Sequence, residues 1–269
     1  MGLGHLLIHL DSTERALARL DVAVALAGRF GAVLTAVFAE SDHLGPGIVT
    51  MRDPARMEAA LVATRAAFEA KVSAAHLPSE WWQVDRGDYG HTVGWIVRCC
   101  RYSDMAILGR HIPGESRVPA DLVEQVMLGS GRPVLVLPPV WRPTHVGNRV
   151  LIAWTGSREA ARAVNDAIPL MDHAERVLVL SLQTPGDEVT ARPPLDIVAH
   201  LNAHGIPAAY ERSILEADSP GEVLLRRAEQ LDADLLVMGG HTTVFPTAHL
   251  SRTTREVMRS AACPLLLSH

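Results

Sequence analysis

The stretch HLLIHLDSTERALARLDVAVAL (His5–Leu26) is answered in the second half of the chain by RVLIAWTGSREAARAVNDAIPL (Arg149–Leu170). In each copy a short apolar run leads into small polar residues and then into a segment whose apolar residues recur at helical spacing. Later segments repeat in the same order: SDMAILG (from Ser103) with ADLLVMG (from Ala233), and RPVLVLP (from Arg132) with CPLLLSH (from Cys263). A unit repeated along a chain indicates duplication, so the sequence predicts two copies of one domain.

Length and composition fit two globular domains and exclude several classes of protein. The chain has 269 residues, of which 48% are hydrophobic, and its net charge is -5. This charge gives no basic footprint for nucleic acid or for an anionic membrane surface. No apolar run reaches the roughly 20 residues of a membrane span, and the N-terminus lacks the segments of a signal peptide. Three cysteines cannot build a disulfide framework, so we expect a cytoplasmic protein without nucleic-acid or membrane partners.

Each half alternates strand-like and helix-like segments. In the first half Thr13 is placed to cap a helix that ends at Gly31, and the next apolar run follows at once. Apolar runs too short for helices, alternating with helical segments, predict a parallel sheet covered on both faces. Each half is then a doubly wound, Rossmann-like α/β sandwich of five strands with right-handed crossovers. We predict domains at 1–138 and 148–269, joined by a Pro- and Gly-containing linker at 139–147.

The chain resembles the universal stress protein family in its tandem two-domain bacterial form. The resemblance covers both halves and depends on the order, spacing and duplication of several strings. In the first copy these are LIHLDSTERA, FGAVLTAVFAE, GDYGHTVGWIVRCCRYSDMAILGR and SGRPVLVLPP, and in the second VLIAWTGSREAARAV, ADSPGEVLLRRAEQLDADLLVMGG and CPLLLSH. It implies the doubly wound fold and a role in stress response. Many members of the family bind ATP, and others of the same fold do not.

A ligand of such a fold is expected at the carboxyl ends of the strands, at the switch point between strands one and four of each half. The resemblance implies that ATP-binding members carry Gly-x2-Gly-x9-Gly-(Ser/Thr) after strand four. It also implies an Asp at the end of strand one that helps to hold the adenine end. The first copy keeps Asp11 and Gly109 but continues RHIPGESRVPADL, with an off-register Gly114 and acids that repel a triphosphate. We therefore expect the first domain to be closed to ATP.

The second copy keeps another part of this pattern. Gly239 and Gly240 fit its start, Thr242 falls at the second glycine, and Thr155 replaces the Asp. Hydroxyl and basic residues at the next helix start could still bind an anion, although capping hydroxyls and solvated arginines are the favoured interpretation. Together the two copies give these candidate nucleotide- or anion-binding residues: Asp11, Gly109, Thr155, Gly239, Gly240, His241, Ser251, Arg252 and Thr253.

Two further features are weaker signals. His200 and His204 stand four residues apart on a predicted helix, the spacing at which two imidazoles can bind zinc. No Cys, Asp or Glu close by completes a ligand set, so a solvent-facing pair is favoured and no metal site is predicted. The insertion at 42–57 belongs to the first half alone, and a lengthened crossover is favoured over a mobile lid or docking loop.

The sequence gives little support for catalysis. It has no nucleophile elbow, no HExxH, no complete P-loop and no paired carboxylates at a meaningful spacing. The favoured function is a cytoplasmic, non-catalytic adaptor or signalling protein of the stress response, without high-affinity ATP binding and with unknown protein partners. The alternative is an adenine-nucleotide sensor or slow ATPase whose second domain takes ATP or AMP with Mg²⁺.

The last strand of each half predicts an assembly. PVLVLP and PLLLS would each leave an apolar sheet edge exposed, which soluble proteins usually cover. The resemblance to universal stress proteins implies dimers that pair through this strand. We therefore expect an internal pseudo-dimer in which Val134–Leu137 lies against Leu265–Leu267, and a further homodimer stays open.

Overall fold

The computed structural model describes residues 2–41, 43–45, 48–49, 54–84, 89–141, 143–183, 196–215, 217–240 and 250–269. The chain divides into two compact units, Met1–His145 (unit 1) and Val146–His269 (unit 2). Each unit has its own parallel sheet and helices.

Unit 1 alternates strands and helices along the chain. Its elements are β1 (His5–Leu10), α1 (Glu14–Phe30), β2 (Val33–Phe38), β3 (His43–Gly45), β4 (Ile48–Val49), α2 (Pro54–Ala74), β5 (Ser79–Gln83), α3 (Tyr89–Cys100), β6 (Met105–Gly109), α4 (Leu122–Ser130) and β7 (Val134–Leu137). Five strands form a parallel sheet in the order β7-β6-β1-β2-β5, and β3 and β4 form a small antiparallel hairpin.

Unit 2 repeats this arrangement. Its elements are β8 (Arg149–Ala153), α5 (Arg158–Ala167), a short 3-10 helix (Ile168–Met171), β9 (Arg176–Gln183), α6 (Ile197–Ala203), β10 (Ala208–Ile214), α7 (Pro220–Gln230), β11 (Leu235–Gly239), α8 (Arg252–Ser260) and β12 (Leu265–Ser268). The five strands are parallel in the order β10-β9-β8-β11-β12. The predicted pair of five-stranded doubly wound sandwiches is confirmed.

Burial explains why these segments form strands. Leu6, Leu7, Ile8 and Leu10 of β1 are all buried, as a parallel strand covered on both faces requires. At the end of α1, Gly31 adopts a left-handed conformation with φ +63°, and its N–H donates to Ala27 O, which closes the helix.

One local prediction at the start of α1 is wrong. Thr13 occupies the cap position, but its hydroxyl makes no capping hydrogen bond to the helix. Its hydroxyl donates to Asp11 Oδ1, two residues earlier in the chain.

The strand order fixes the place of the site in each unit. Chain direction diverges between β1 and β6 in unit 1 and between β8 and β11 in unit 2. The loops after these strands meet at the carboxyl edge of each sheet, where open α/β folds bind ligands. The pairing of Val134–Leu137 with Leu265–Leu267 stays a prediction. Among the described residues, no helix is both long enough and apolar enough to cross a membrane.

Candidate functional site

A buried ion pair lies at the switch point of unit 1. Asp11 follows β1 directly, and Arg19 reaches it from α1, with Nη2 3.6 Å from Asp11 Oδ2. Both residues are only 6% exposed, and Arg19 Nε donates to the backbone oxygen of His9 at 2.8 Å. A charge pair withdrawn from water in this way is tolerated only where each charge has a partner.

The second oxygen of Asp11 is also engaged. Oδ1 accepts the backbone N–H of Thr13 at 3.0 Å and the hydroxyl of the same residue. Burial raises the pKa of Asp11, but Arg19, His9 and Thr13 together outweigh burial and lower the pKa below its ordinary value. The carboxylate that the resemblance assigns to the adenine end of a nucleotide therefore has protein partners on both oxygens.

Gly109 leaves space for the guanidinium group of Arg19. A Cβ at position 109 would lie 2.3 Å from Arg19 Nη1, so any larger residue would force the guanidinium out of this position. The sequence predicts Gly109 as the first glycine of a phosphate loop, whereas in the structure the space above it holds a side chain of the protein itself. The offset of 144 that relates Asp11 to Thr155 relates Arg19 to Ala163, so the arginine belongs to the first copy alone.

Further acidic groups surround this crevice. Glu40, just after β2, is buried, and its Oε1 accepts the backbone N–H of Ser12 at 2.7 Å. Glu115, in the segment expected to repel a triphosphate, pairs with Arg15 of α1. Asp121 accepts the hydroxyl of Tyr89. These three acids are thus tied to donors of the protein.

In unit 2 the first turn of α5 closes the corresponding crevice. A Cβ at Gly239 would lie 2.7 Å from the backbone N of Ala160 and 2.9 Å from Glu159 Cβ. Glu159 is 8% exposed and accepts Nε of Arg158. Burial raises the pKa of Glu159, but hydrogen bonds from Arg158, its own N–H and Ser157 outweigh burial and lower the pKa. A carboxylate of the protein therefore occupies the helix N-terminus, where a ligand anion would otherwise be stabilised.

Thr155 does not reproduce the role of Asp11. It is exposed, and its hydroxyl lies 3.2 Å from Ser157 Oγ. Ser157 in turn caps α5 by accepting the N–H of Ala160 at 3.1 Å. The loop after β8 therefore supplies the residue that caps α5.

The start of α8 brings together three of the predicted residues. The Ser251 hydroxyl oxygen accepts the N–H of Thr254 at 3.0 Å, so Ser251 caps the helix. The hydroxyls of Ser251 and Thr254 are also hydrogen-bonded to each other at 2.8 Å. Arg252 is exposed and Thr253 half-buried. Gly239 ends β11, and the N–H of buried Gly240 donates to Ser268 O at 2.9 Å. His241 and Thr242 lie outside the described residues.

One histidine of the predicted pair has a hydrogen-bond partner. His200 Nε2 lies 3.3 Å from Asn165 Oδ1, and the two imidazole rings are 4.9 Å apart in an edge-to-face arrangement. The described part of the chain holds no group of three His, Cys, Asp or Glu residues that could bind a metal ion. Within the insertion 42–57, the structure describes β3, β4 and the first turn of α2, and the rest lies outside the described residues.

Sequence reasoning missed Arg19, Glu40 and Glu159. A signal for Arg19 is present, because it stands three residues after Ala16 on the face of α1 that buries Leu20 and Ala23. A long charged side chain on a buried helix face needs a partner, and Asp11 is the acid within reach. The two glutamates carry no comparable signal.

Comparison with known proteins agrees with this architecture. Residues 147–269 match the model of the universal stress protein family. No curated protein matches the sequence. A universal stress protein from Archaeoglobus fulgidus DSM 4304 has a similar structure, with a TM-score of 0.71 and 17% identity over 98% of this chain and 97% of that one. A functionally unknown protein from Pseudomonas aeruginosa PAO1 gives a TM-score of 0.63 and 17% identity over 99% of this chain and 92% of that one.

Proposed function

Because residues 147–269 belong to the universal stress protein family and the fold of the whole chain is that of a tandem member, we propose that the protein acts in the stress response as a non-catalytic adaptor. It works in the cytoplasm through contacts with other proteins, and neither domain binds ATP with high affinity. Three free, buried cysteines support a reducing compartment.

The observation that carries the proposal is that each unit fills its own switch-point crevice. In unit 1 the guanidinium of Arg19 lies over Gly109 and pairs with Asp11. A nucleotide that entered here would have to displace this arginine and leave the Asp11 carboxylate buried without its partner, which is costly.

Unit 2 supports the same conclusion by another route. The backbone at Ala160 approaches Gly239 so closely that it leaves no room for a phosphate group above this glycine. The buried carboxylate of Glu159 at the same helix start repels negative charge. The hydroxyl oxygen of Ser251, one of the candidate residues at the start of α8, accepts the N–H of Thr254 and caps that helix.

Titration calorimetry tests the proposal on the full chain. ATP and AMP, each with Mg²⁺, are titrated into protein that has been checked for carried-over nucleotide. The expected result is no heat of binding and no nucleotide released on denaturation. Micromolar binding by the wild-type chain would contradict the proposal and favour the adenine-nucleotide sensor.

A pair of variants locates any binding that is observed. Glu159→Gln removes the buried charge at α5, and Glu222→Gln removes the exposed acid of the capping box at the start of α7. A nucleotide site in unit 2 would bind more tightly in the first variant and be unchanged in the second. For an adaptor, neither variant gains binding, and the proteins captured by the tagged chain do not change when ATP is added.

A further inference from the structure

A small cavity lies beside the ion pair of unit 1. It measures about 20 Å³ and lies between α1, the end of β6 and the segment that follows β7. Arg15, Arg19, Arg110 and Trp141 line it, and glycine, alanine, leucine and proline residues form the rest of its wall. Three arginines and a tryptophan therefore line one small, partly open cavity.

Two hydrogen-bond donors of this lining are buried and unpaired. Arg19 Nη2 and Trp141 Nε1 are both inaccessible, and among the described residues neither has a hydrogen-bond partner. Asp11 Oδ2 lies 3.6 Å from Arg19 Nη2, which is beyond hydrogen-bond length. Buried donors are rarely left unpaired, so each needs a partner that the described chain does not supply.

The chemistry of the wall selects the partner. Within the described lining, the side chains are arginine, tryptophan and apolar groups, which supply donors but no acceptor. Arg15 and Arg19 are close enough to repel one another. Burial lowers the pKa of Arg19, Asp11 raises it and Arg15 lowers it again, for a net decrease. A water molecule could accept hydrogen bonds here, but an anion accepts stronger, charge-assisted hydrogen bonds from a guanidinium group.

We propose that this cavity binds a single small anion of chloride size, held by Arg15, Arg19 and the indole N–H of Trp141. A volume of about 20 Å³ accepts a monatomic anion, since a single water needs roughly 10–15 Å³ measured in the same way. A nucleotide is far too large for it. The cavity shares Arg19 and Gly109 with the switch-point crevice and extends to Trp141, beyond the last strand of unit 1.

Chloride-35 NMR on the full chain tests the assignment. Chloride is added at constant ionic strength with sodium gluconate as the other salt, and the line width of the chloride signal is followed. The wild-type protein is expected to broaden this signal saturably. Trp141→Phe keeps the aromatic volume but removes one donor to a charged ligand, so the dissociation constant should rise roughly tenfold or more.

Two matched variants complete the test. Trp95→Phe, at an exposed tryptophan of α3, should bind chloride as the wild type does. Arg15→Gln should weaken binding even if Trp141→Phe proves unstable, because Arg15 is partly exposed and its partner Glu115 is a surface residue. Equal broadening in all four proteins, or none in any, would show that the cavity holds only water and would overturn the proposal. Binding of inorganic phosphate without binding of chloride would overturn it as well, because phosphate exceeds the proposed size.

Discussion

Removal of Arg19 should expose how strongly unit 1 depends on its buried ion pair. Arg19→Met keeps most of the side-chain length but leaves Asp11, which is 6% exposed, without its positive partner. It also removes the 2.8 Å bond from Arg19 Nε to His9 O. Loss of one partner of a buried pair costs about 3–5 kcal/mol, so we expect a decrease of this size in the free energy of unfolding of unit 1.

The double variant tells a charge effect from a packing effect. Asp11→Asn in the Arg19→Met background removes the stranded carboxylate, and apolar or neutral replacements of a buried pair are often close to neutral. The two changes should therefore be non-additive, with a coupling energy of about 2–3 kcal/mol. The exposed Arg65 and Glu69 of α2 make the control within the same unit, since removing that surface pair should cost less than about 0.5 kcal/mol.

Urea unfolding followed by tryptophan fluorescence provides the measurement. Four of the five tryptophans, Trp81, Trp82, Trp95 and Trp141, lie in unit 1, so the signal reports mainly on this unit. Two results would contradict a strong buried ion pair: a decrease of less than about 1 kcal/mol in the free energy of unfolding for Arg19→Met, or additive effects of Arg19→Met and Asp11→Asn on that free energy. The argument that a nucleotide cannot displace Arg19 would then fail with it.

The remaining predictions concern protonation, packing and thiol reactivity. Burial lowers the pKa of His9, which keeps the imidazole neutral in the fold. Its contribution to the free energy of unfolding is therefore complete above the unfolded pKa of 6.5 and decreases as the pH falls below it. His9→Gln should reduce this dependence of the unfolding free energy on pH, measured from pH 7.5 to 5. Gly239→Ala should destabilise unit 2 by about 1–3 kcal/mol in thermal unfolding, because the added Cβ meets the backbone of α5. Gly28→Ala, which adds a methyl group in open space on α1, should stabilise unit 1 by about 0.5–1 kcal/mol. Equal effects of the two changes would contradict the close approach at Gly239. Burial raises the pKa of the Cys263 thiol to about 12, so this thiol should resist Ellman's reagent at pH 8 in the native protein and react once urea unfolds it; rapid reaction in the native state would contradict its burial.

The fold could be predicted from the sequence because it depends on patterns repeated over many residues. The apolar run of β1 and the helical spacing of α1 are local signals, and their recurrence at Arg149–Leu170 confirms them internally. Strand order also follows, since parallel strands joined by right-handed crossovers leave few arrangements. Errors at the element ends, such as the unused cap at Thr13, arise because a single hydrogen bond decides them.

The content of the crevices could not be predicted in the same way. Glycine positions suggest space for a phosphate, but whether that space is free depends on which side chain reaches across it from another element. The space beside Gly109 is occupied by the side chain of Arg19, and the space beside Gly239 by the first turn of α5. These are properties of packing between elements, and no spacing within one segment encodes them.

The two copies differ in charge at one face of the helix that follows their first strand. The offset of 144 pairs Arg15 with Glu159 and Arg19 with Ala163, so two positive charges of unit 1 correspond to one negative charge and a methyl group in unit 2. A shared ligand would require the same charge at both sites, because the field in a low-dielectric crevice decides which ions enter. The opposite signs therefore argue that the copies do not serve one ligand twice. A response of this protein to a monatomic anion should therefore arise in the small cavity beside Arg15 and Arg19 of unit 1 and be absent from the crevice of unit 2.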